Sequence, residues 1–289
     1  MGVNREDLGP RVCHGNRWQP IIPDVPTPPW QPRIQRAEEL LQRHNFAAEI
    51  LNFYIAITRF QEGLYTQCST GVQPSPAAFF DSGLSPEPLS KLGPLFSQFL
   101  NLVERSGPSP LVDLATRLQT EGEATWSELL QDAWRISTPT AAEEFLAQAF
   151  LQPYAEHLRA LSAPESATNK HASCPFCHRK PTLGVLRPLG EGAARSLVCS
   201  FCLAEWNFRR LVCPGCGEEN DRMLSVYTAG ELEYIRVECC DSCRTYIKSI
   251  DLTKDGRAEP VVDELASIPL DLWAQDRGYA KLRQNILGM

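Results

Sequence analysis

The chain has 289 residues, 43% of them hydrophobic and 22% charged, enough to bury a sizeable core and more than a single domain usually holds. Its net charge of −7 argues against a dedicated nucleic-acid binder, which carries a basic surplus. No run approaches the roughly eighteen unbroken apolar residues of a membrane span, and "MGVNREDLGPRVCHGNRWQP" lacks an apolar leader core, so a cytoplasmic protein without membrane insertion is expected. There cysteines stay reduced, and regularly spaced pairs read as metal ligands rather than disulfides.

Residues 1–32 form a proline-rich lead-in. "WQPIIPDVPTPPWQP" carries six prolines and is expected to run extended. Residues 33–162 then read as an all-α bundle. Ile34, Ala37 and Leu41 open one apolar stripe; Phe46, Ile50, Phe53, Tyr54 and Ile57 make a second; Leu92, Leu95, Phe96, Phe99 and Val103 make a third, with Pro94 suited to a first helical turn. Two capping boxes follow, Thr125 with Glu128 and Thr140 with Glu143, and Pro153 is expected to kink or end the last helix. No inward carboxylates or histidines recur at a cofactor spacing in this half, so neither a catalytic nor a cofactor-binding residue is assigned.

Residues 163–173 are polar and aperiodic and read as a linker. Beyond them the period falls to two: "RSLVC", "EWNFRRLVC", "LSVYTA", "EYIRVEC" and "TYIKSIDL" read as short strands, and "DELASIPLDLWAQDRGYAKL" returns to helix with a break at Pro269. The expected class is therefore α+β: a helical bundle, two tandem ribbon-like β units at 174–206 and 207–289, and a C-terminal helical tail.

Four Cys-x-x-Cys turns punctuate this second half: Cys174–Cys177, Cys199–Cys202, Cys213–Cys216 and Cys240–Cys243. Such a turn aims two sulfurs at one point, and two turns complete a tetrahedral four-thiolate site. The stretches from Cys177 to Cys199 and from Cys216 to Cys240 are similar in length, each long enough for a hairpin. The simplest scheme is tandem: Cys174, Cys177, Cys199 and Cys202 on one ion, Cys213, Cys216, Cys240 and Cys243 on a second. A crossed pairing is the alternative. In "VECCDSC" the alternation puts Cys239 with Ile235 and Val237 on the apolar face, so Cys239 is expected to pack while Cys240 binds. Cys13 and Cys68 stand alone. His178 is expected to be exposed. If the residues after each turn are left-handed, His178, Leu203 and Arg244 each cost about 1–2 kcal/mol there, where Gly217 costs little. Spacing alone does not choose between zinc and iron. Eight protein thiolates leave no position for water, which argues against hydrolytic metal catalysis.

These turns at these spacings, with "CLAEWNFRRLVCPGC", "CDSCRTYIKSIDL" and the tail "VVDELASIPLDLWAQDRGYAKLRQNILGM", resemble the formate dehydrogenase accessory proteins, the FdhE family. The helical half matches more loosely, through "RAEELLQRHN" after the proline-rich segment. The resemblance implies a cytoplasmic, non-enzymatic maturation factor that binds the catalytic (alpha) subunit of a respiratory formate dehydrogenase before twin-arginine export. It implies rubredoxin-like ribbons and two metal ions on the eight cysteines, with iron ahead of zinc. The chain departs from the family at Arg244, where a glycine commonly stands. Two other readings are a rubredoxin-like electron carrier and a nucleic-acid-binding zinc ribbon contacting phosphates through Arg179–Lys180 and Arg209–Arg210.

Overall fold

The computed structural model of the protein describes residues 30–71, 86–135, 140–161 and 172–284. Most of the proline-rich lead-in and of the linker therefore lies outside the described residues, as does Cys13. Six α-helices fill the N-terminal half: α1 (Trp30–Arg43), α2 (Ala48–Gly71), α3 (Pro86–Ser106), α4 (Ser109–Glu121), α5 (Glu123–Trp134) and α6 (Ala141–Leu161). Helix α1 starts three residues before the sequence pattern places it. Pro32 falls in its first turn, where a missing N–H leaves no intrahelical bond unmade.

The prolines and caps correct several expectations. Helix α3 starts at Pro86, so Pro94 lies in its interior rather than its first turn. Helix α6 runs through Pro153 to Leu161 instead of ending there. The Thr140–Glu143 cap forms, the Glu143 amide donating to Thr140 Oγ1 at 3.2 Å. The Thr125–Glu128 box does not. Gly122, at φ 82°, closes α4 and is itself the N-cap of α5, which moves Thr125 inside the helix.

The second half is one mixed sheet of β1 (Pro181–Leu189), β2 (Gly192–Cys199), β3 (Glu205–Asn207), β4 (Leu224–Tyr227), β5 (Ile235–Cys240), β6 (Thr245–Asp251) and β7 (Ala280–Lys281), in the order β3-β2-β1-β6-β5-β4 with β7 beside β6. Strand β1 has no clear sequence signature, because Pro181, Gly184 and Pro188 interrupt the alternation. Its hairpin with β2 carries the first pair of cysteine turns, and the β5–β6 hairpin belongs to the second. The two ribbons are fused. Strand β1 runs parallel to β6, with Leu183 opposite Lys248 and Gly184 opposite Ser249. A Cβ at position 184 would collide with the Ser249 hydroxyl, so glycine is what allows these strands to meet.

Helices α7 (Pro260–Ala266) and α8 (Ile268–Asp276) cover one face of this sheet. Pro269 opens α8, as the sequence pattern suggests. Val262 and Leu265 pack with Ile34 and Ala37 of α1 and Leu51 of α2. Leu270 and Ala274 pack on Ile235, Val237 and Ile250. Buried ion pairs reinforce the joints: Arg33 to Glu156 at 3.2 Å joins α1 to α6, and Arg36 to Asp263 at 2.6 Å joins α1 to α7. Lys248 is fully buried, its Nζ donating to Glu264 O (2.6 Å), Ser267 Oγ (2.9 Å) and Asp271 Oδ2 (2.6 Å). A buried ammonium is tolerable only when so completely paired. Among the described residues no helix is long and apolar enough to cross a membrane.

Candidate metal centres

All four Cys-x-x-Cys turns are built alike. The amide of the first cysteine donates to the carbonyl two residues beyond the second: Cys174 to Arg179 (2.8 Å), Cys199 to Ala204 (2.9 Å) and Cys213 to Glu218 (2.9 Å). In the fourth turn Cys240 pairs with Thr245 across the β5–β6 hairpin. A turn this tight reverses the chain through a left-handed residue, and each has one: His178 at φ 58°, Leu203 at 50°, Gly217 at 80° and Arg244 at 56°. Three of these are not glycine, at a cost of about 1–2 kcal/mol each. The turns also present amides to sulfur, from Phe176 to Cys174 (3.4 Å), Phe201 to Cys199 (3.4 Å) and Gly215 to Cys213 (3.3 Å). Such bonds favour the thiolate form.

The sulfurs fall into two groups of four, in the tandem grouping and not the crossed one. Cys174, Cys177, Cys199 and Cys202 form one group, Cys213, Cys216, Cys240 and Cys243 the other, and within each every donor atom lies within 4.8 Å of the rest. Observed separations are 3.5 Å for Cys174–Cys202, 3.2 Å for Cys177–Cys199, and 3.7 Å for both Cys213–Cys243 and Cys216–Cys240. A tetrahedron with metal–sulfur bonds of ~2.3 Å has edges of about 3.8 Å, so both groups could hold a metal ion. Neither the donor set nor these distances separates iron from zinc.

The two centres differ in surroundings. All four sulfurs of the first are buried, in a core continuous with the helical half, where Trp134 meets Phe201 edge-on at 5.5 Å. Burial pushes the Cys199 and Cys202 thiols well above the ordinary cysteine range, while hydrogen bonds from Cys177, Cys199 and Cys202 hold Cys174 below it. Four thiols so close cannot all ionise unaided; a cation would have to displace the remaining protons. In the second centre Cys213 and Cys240 are buried, Cys243 is half-buried and Cys216 is exposed. Burial takes Cys213 up to about 12. At Cys243 burial acts upward too, but hydrogen bonds from Thr245, whose hydroxyl lies 3.0 Å away, bring the thiol down to about 7.

Cys239 sits where the alternation puts it, 2% exposed among Ile235, Val237, Tyr246 and Ile250, and burial pushes its thiol up to about 12. His178 is exposed. The side chain of Cys68 lies outside the described residues. Arg179 is not the surface cation its dipeptide suggests: it is 5% exposed and donates to the Ala133 and Trp134 carbonyls at the end of α5, so it cannot meet a phosphate. Arg209 pairs with Glu219. Sequence reading also misses Arg195, a strut between the ribbons. It lies on β2 and binds Glu238 of β5 and the Arg209 carbonyl (3.0 Å).

Comparison with known proteins points one way. Residues 173–210 match the family described as "FdhE, central domain", and residues 212–287 match "FdhE, C-terminal domain". A "Protein FdhE homolog" of Aquifex aeolicus is 41% identical over 116 residues, which span 40% of this chain and 41% of that relative. One from Pseudomonas putida is 28% identical over 274 residues, covering 88% of this chain and 86% of its own. The crystal structure of the FdhE protein from Pseudomonas aeruginosa shares the fold, with a TM-score of 0.63 at 23% identity over 89% of this chain and 94% of that one. Over residues 173–287, which carry the paired cysteine turns and the tail that follows them, the chain is thus similar to the FdhE family, and its fold is that of the Pseudomonas aeruginosa FdhE protein.

Proposed function

We propose that this protein is a cytoplasmic accessory factor for a respiratory formate dehydrogenase, binding its catalytic subunit before twin-arginine export and needed for its activity. The supporting observation is the pair of four-sulfur clusters set on one continuous sheet. Similarity to the FdhE family supplies the client. In this reading residues 33–162 form the helical body, 163–173 the linker, and 174–206 and 207–289 the two metal-bearing units. Cys174, Cys177, Cys199 and Cys202 hold one ion, and Cys213, Cys216, Cys240 and Cys243 the other, iron ahead of zinc.

What each ion supplies is a cross-link worth ~10–16 kcal/mol at a structural zinc site, and with iron a one-electron couple as well. Four thiolates from each set would fill the positions of a tetrahedral ion, so neither centre would be built to activate water. The protein's own residues then do the rest: the cysteine turns hold the hairpins, Arg195 spans them, and a rigid surface is left for a partner. No reaction centre is invoked.

The test is capture of purified catalytic subunit by the full-length, metal-replete protein and by a Cys240→Ser/Cys243→Ser variant. The variant should keep one ion and its helical content yet lose the subunit. Undiminished capture would overturn the reading. The exposed edge at Cys216 favours one competing function, electron transfer through rubredoxin-like iron. A red protein that bleaches reversibly at a physiological potential would establish that function, and a colourless zinc protein would exclude it.

A further inference from the structure

The sheet face opposite α8 holds a recess of about 100 Å³ beside the second sulfur cluster. Arg195, Arg236 and Glu238 line its floor; Val226 of β4 forms one lip, and Arg210 with Leu211, on the connector between the two clusters, forms the other. Cys213 and Cys240 also line it, so residues of the second centre fix both walls.

The recess is cationic in an acidic protein. Three guanidinium groups face one lining carboxylate. Arg195 binds that carboxylate, Glu238, and Arg236 binds Asp251 at 2.6 Å. Arg210 is exposed and donates only to the Ala193 carbonyl, at 3.4 Å; among the described residues no carboxylate pairs with it. Arg195 is 3% exposed, so of the three guanidinium groups Arg210 is the one that faces solvent.

The lips are apolar and open, Leu211 being 63% and Val226 54% exposed. Among the described residues strand β4 pairs only with β5 and ends the sheet on that side. Its sequence, Leu-Ser-Val-Tyr, has neither the charge nor the proline that usually blocks an edge. An edge of this kind offers alternate N–H and C=O groups to an added strand, while the adjoining pocket selects side chains.

We propose that this recess and the outer edge of β4 form the docking site for the client, taking an extended acidic segment of its chain. The segment adds as a strand along β4, sets a carboxylate against the exposed Arg210, and rests an apolar neighbour on Leu211 and Val226. The inference depends on the accessory-factor reading above, and charge complementarity chooses the segment's chemistry.

The test measures affinity of the full-length, metal-replete protein for purified catalytic subunit, in wild type, Val226→Lys, Arg210→Glu and the control Arg43→Glu, which changes an exposed charge at the end of α1. Both recess substitutions are at exposed positions, and unchanged melting temperature and metal content verify folding. Affinity should fall at least tenfold for both recess variants, stay unchanged for the control, and weaken with salt in the wild type. If the subunit binds both recess variants as tightly as wild type, the docking site is wrong and the accessory role stands. If wild type does not bind, both fall. A concentration-dependent dimer that Val226→Lys abolishes would mean that β4 pairs with a second copy, which also overturns the proposal.

Discussion

The guanidinium of Arg179 lies over the ring of Phe201, its carbon 3.8 Å from the ring centroid, and both residues belong to cysteine turns of the first centre. The same guanidinium caps α5 through the carbonyls of Ala133 and Trp134. One side chain thus joins two turns of a candidate metal centre to the helical half. Replacing it with alanine removes charged hydrogen bonds and a cation–π contact, and should cost about 3 kcal/mol, lowering the melting temperature by roughly 6–10 °C. Arg179→Lys should recover only part, since an ammonium lacks the flat fork that stacks and donates at once. Thermal unfolding of the metal-replete proteins measures both.

Helix α6 survives its internal proline because of a distant amide. Pro153 cannot donate to the Ala149 carbonyl, and Gln61 Nε2 of α2 does so instead at 2.7 Å. Gln61→Leu should therefore destabilise by about 1–3 kcal/mol, the cost of a buried unmet acceptor. In a Pro153→Ala background, where residue 153 regains its N–H, that penalty should shrink by at least half. A denaturant double-mutant cycle would show the coupling; equal penalties in both backgrounds would refute it.

Metal removal should proceed in two phases. The first centre has every sulfur buried, whereas the second exposes Cys216. A chelator should strip about one ion per chain quickly and the other only on the time scale of unfolding, as followed by elemental analysis against time. Cys239→Ala should retain two ions, and Cys240→Ser one. Loss of an ion from the Cys239 variant would reverse the assignment within "VECCDSC".

Acid should weaken the helical half through His157. This side chain is 5% exposed, meets Tyr65 edge-on at 5.6 Å, and among the described residues has no hydrogen-bond partner at either ring nitrogen. Burial holds it below its ordinary value of 6.5. The unfolded chain therefore takes up this proton first as pH falls below about 6.5, so stability declines with acidification from there and is unaffected at higher pH. His157→Phe should flatten that limb of a melting-temperature profile, at constant metal content. An unchanged limb would show that His157 is not its source.

Legibility in the sequence tracked how local each cause was. The pairing of sulfurs within each turn, the packing role of Cys239, the strained residues after the turns and the Thr140 cap all follow from neighbours a few positions apart. Strand β1 did not, because a proline–glycine-rich segment forms a strand only where β6 waits beside it. Pro153 looked like a breaker because its remedy lies on another helix. The burial of Arg33, Arg36 and Lys248 has no signal in the sequence, since nothing nearby reveals partners such as Asp263, 227 positions from Arg36.

That last pairing has a consequence for synthesis. Helix α1 leaves the ribosome long before the carboxylate that receives Arg36, 227 positions further on, and β1 likewise cannot be seated until β6 has emerged. The nascent chain must keep a half-finished sheet and an unclaimed basic helix waiting, so both ions should be acquired only after β6 has been made. A truncated nascent chain ending before Lys248 should bind neither ion stably, however many of its cysteines are already made.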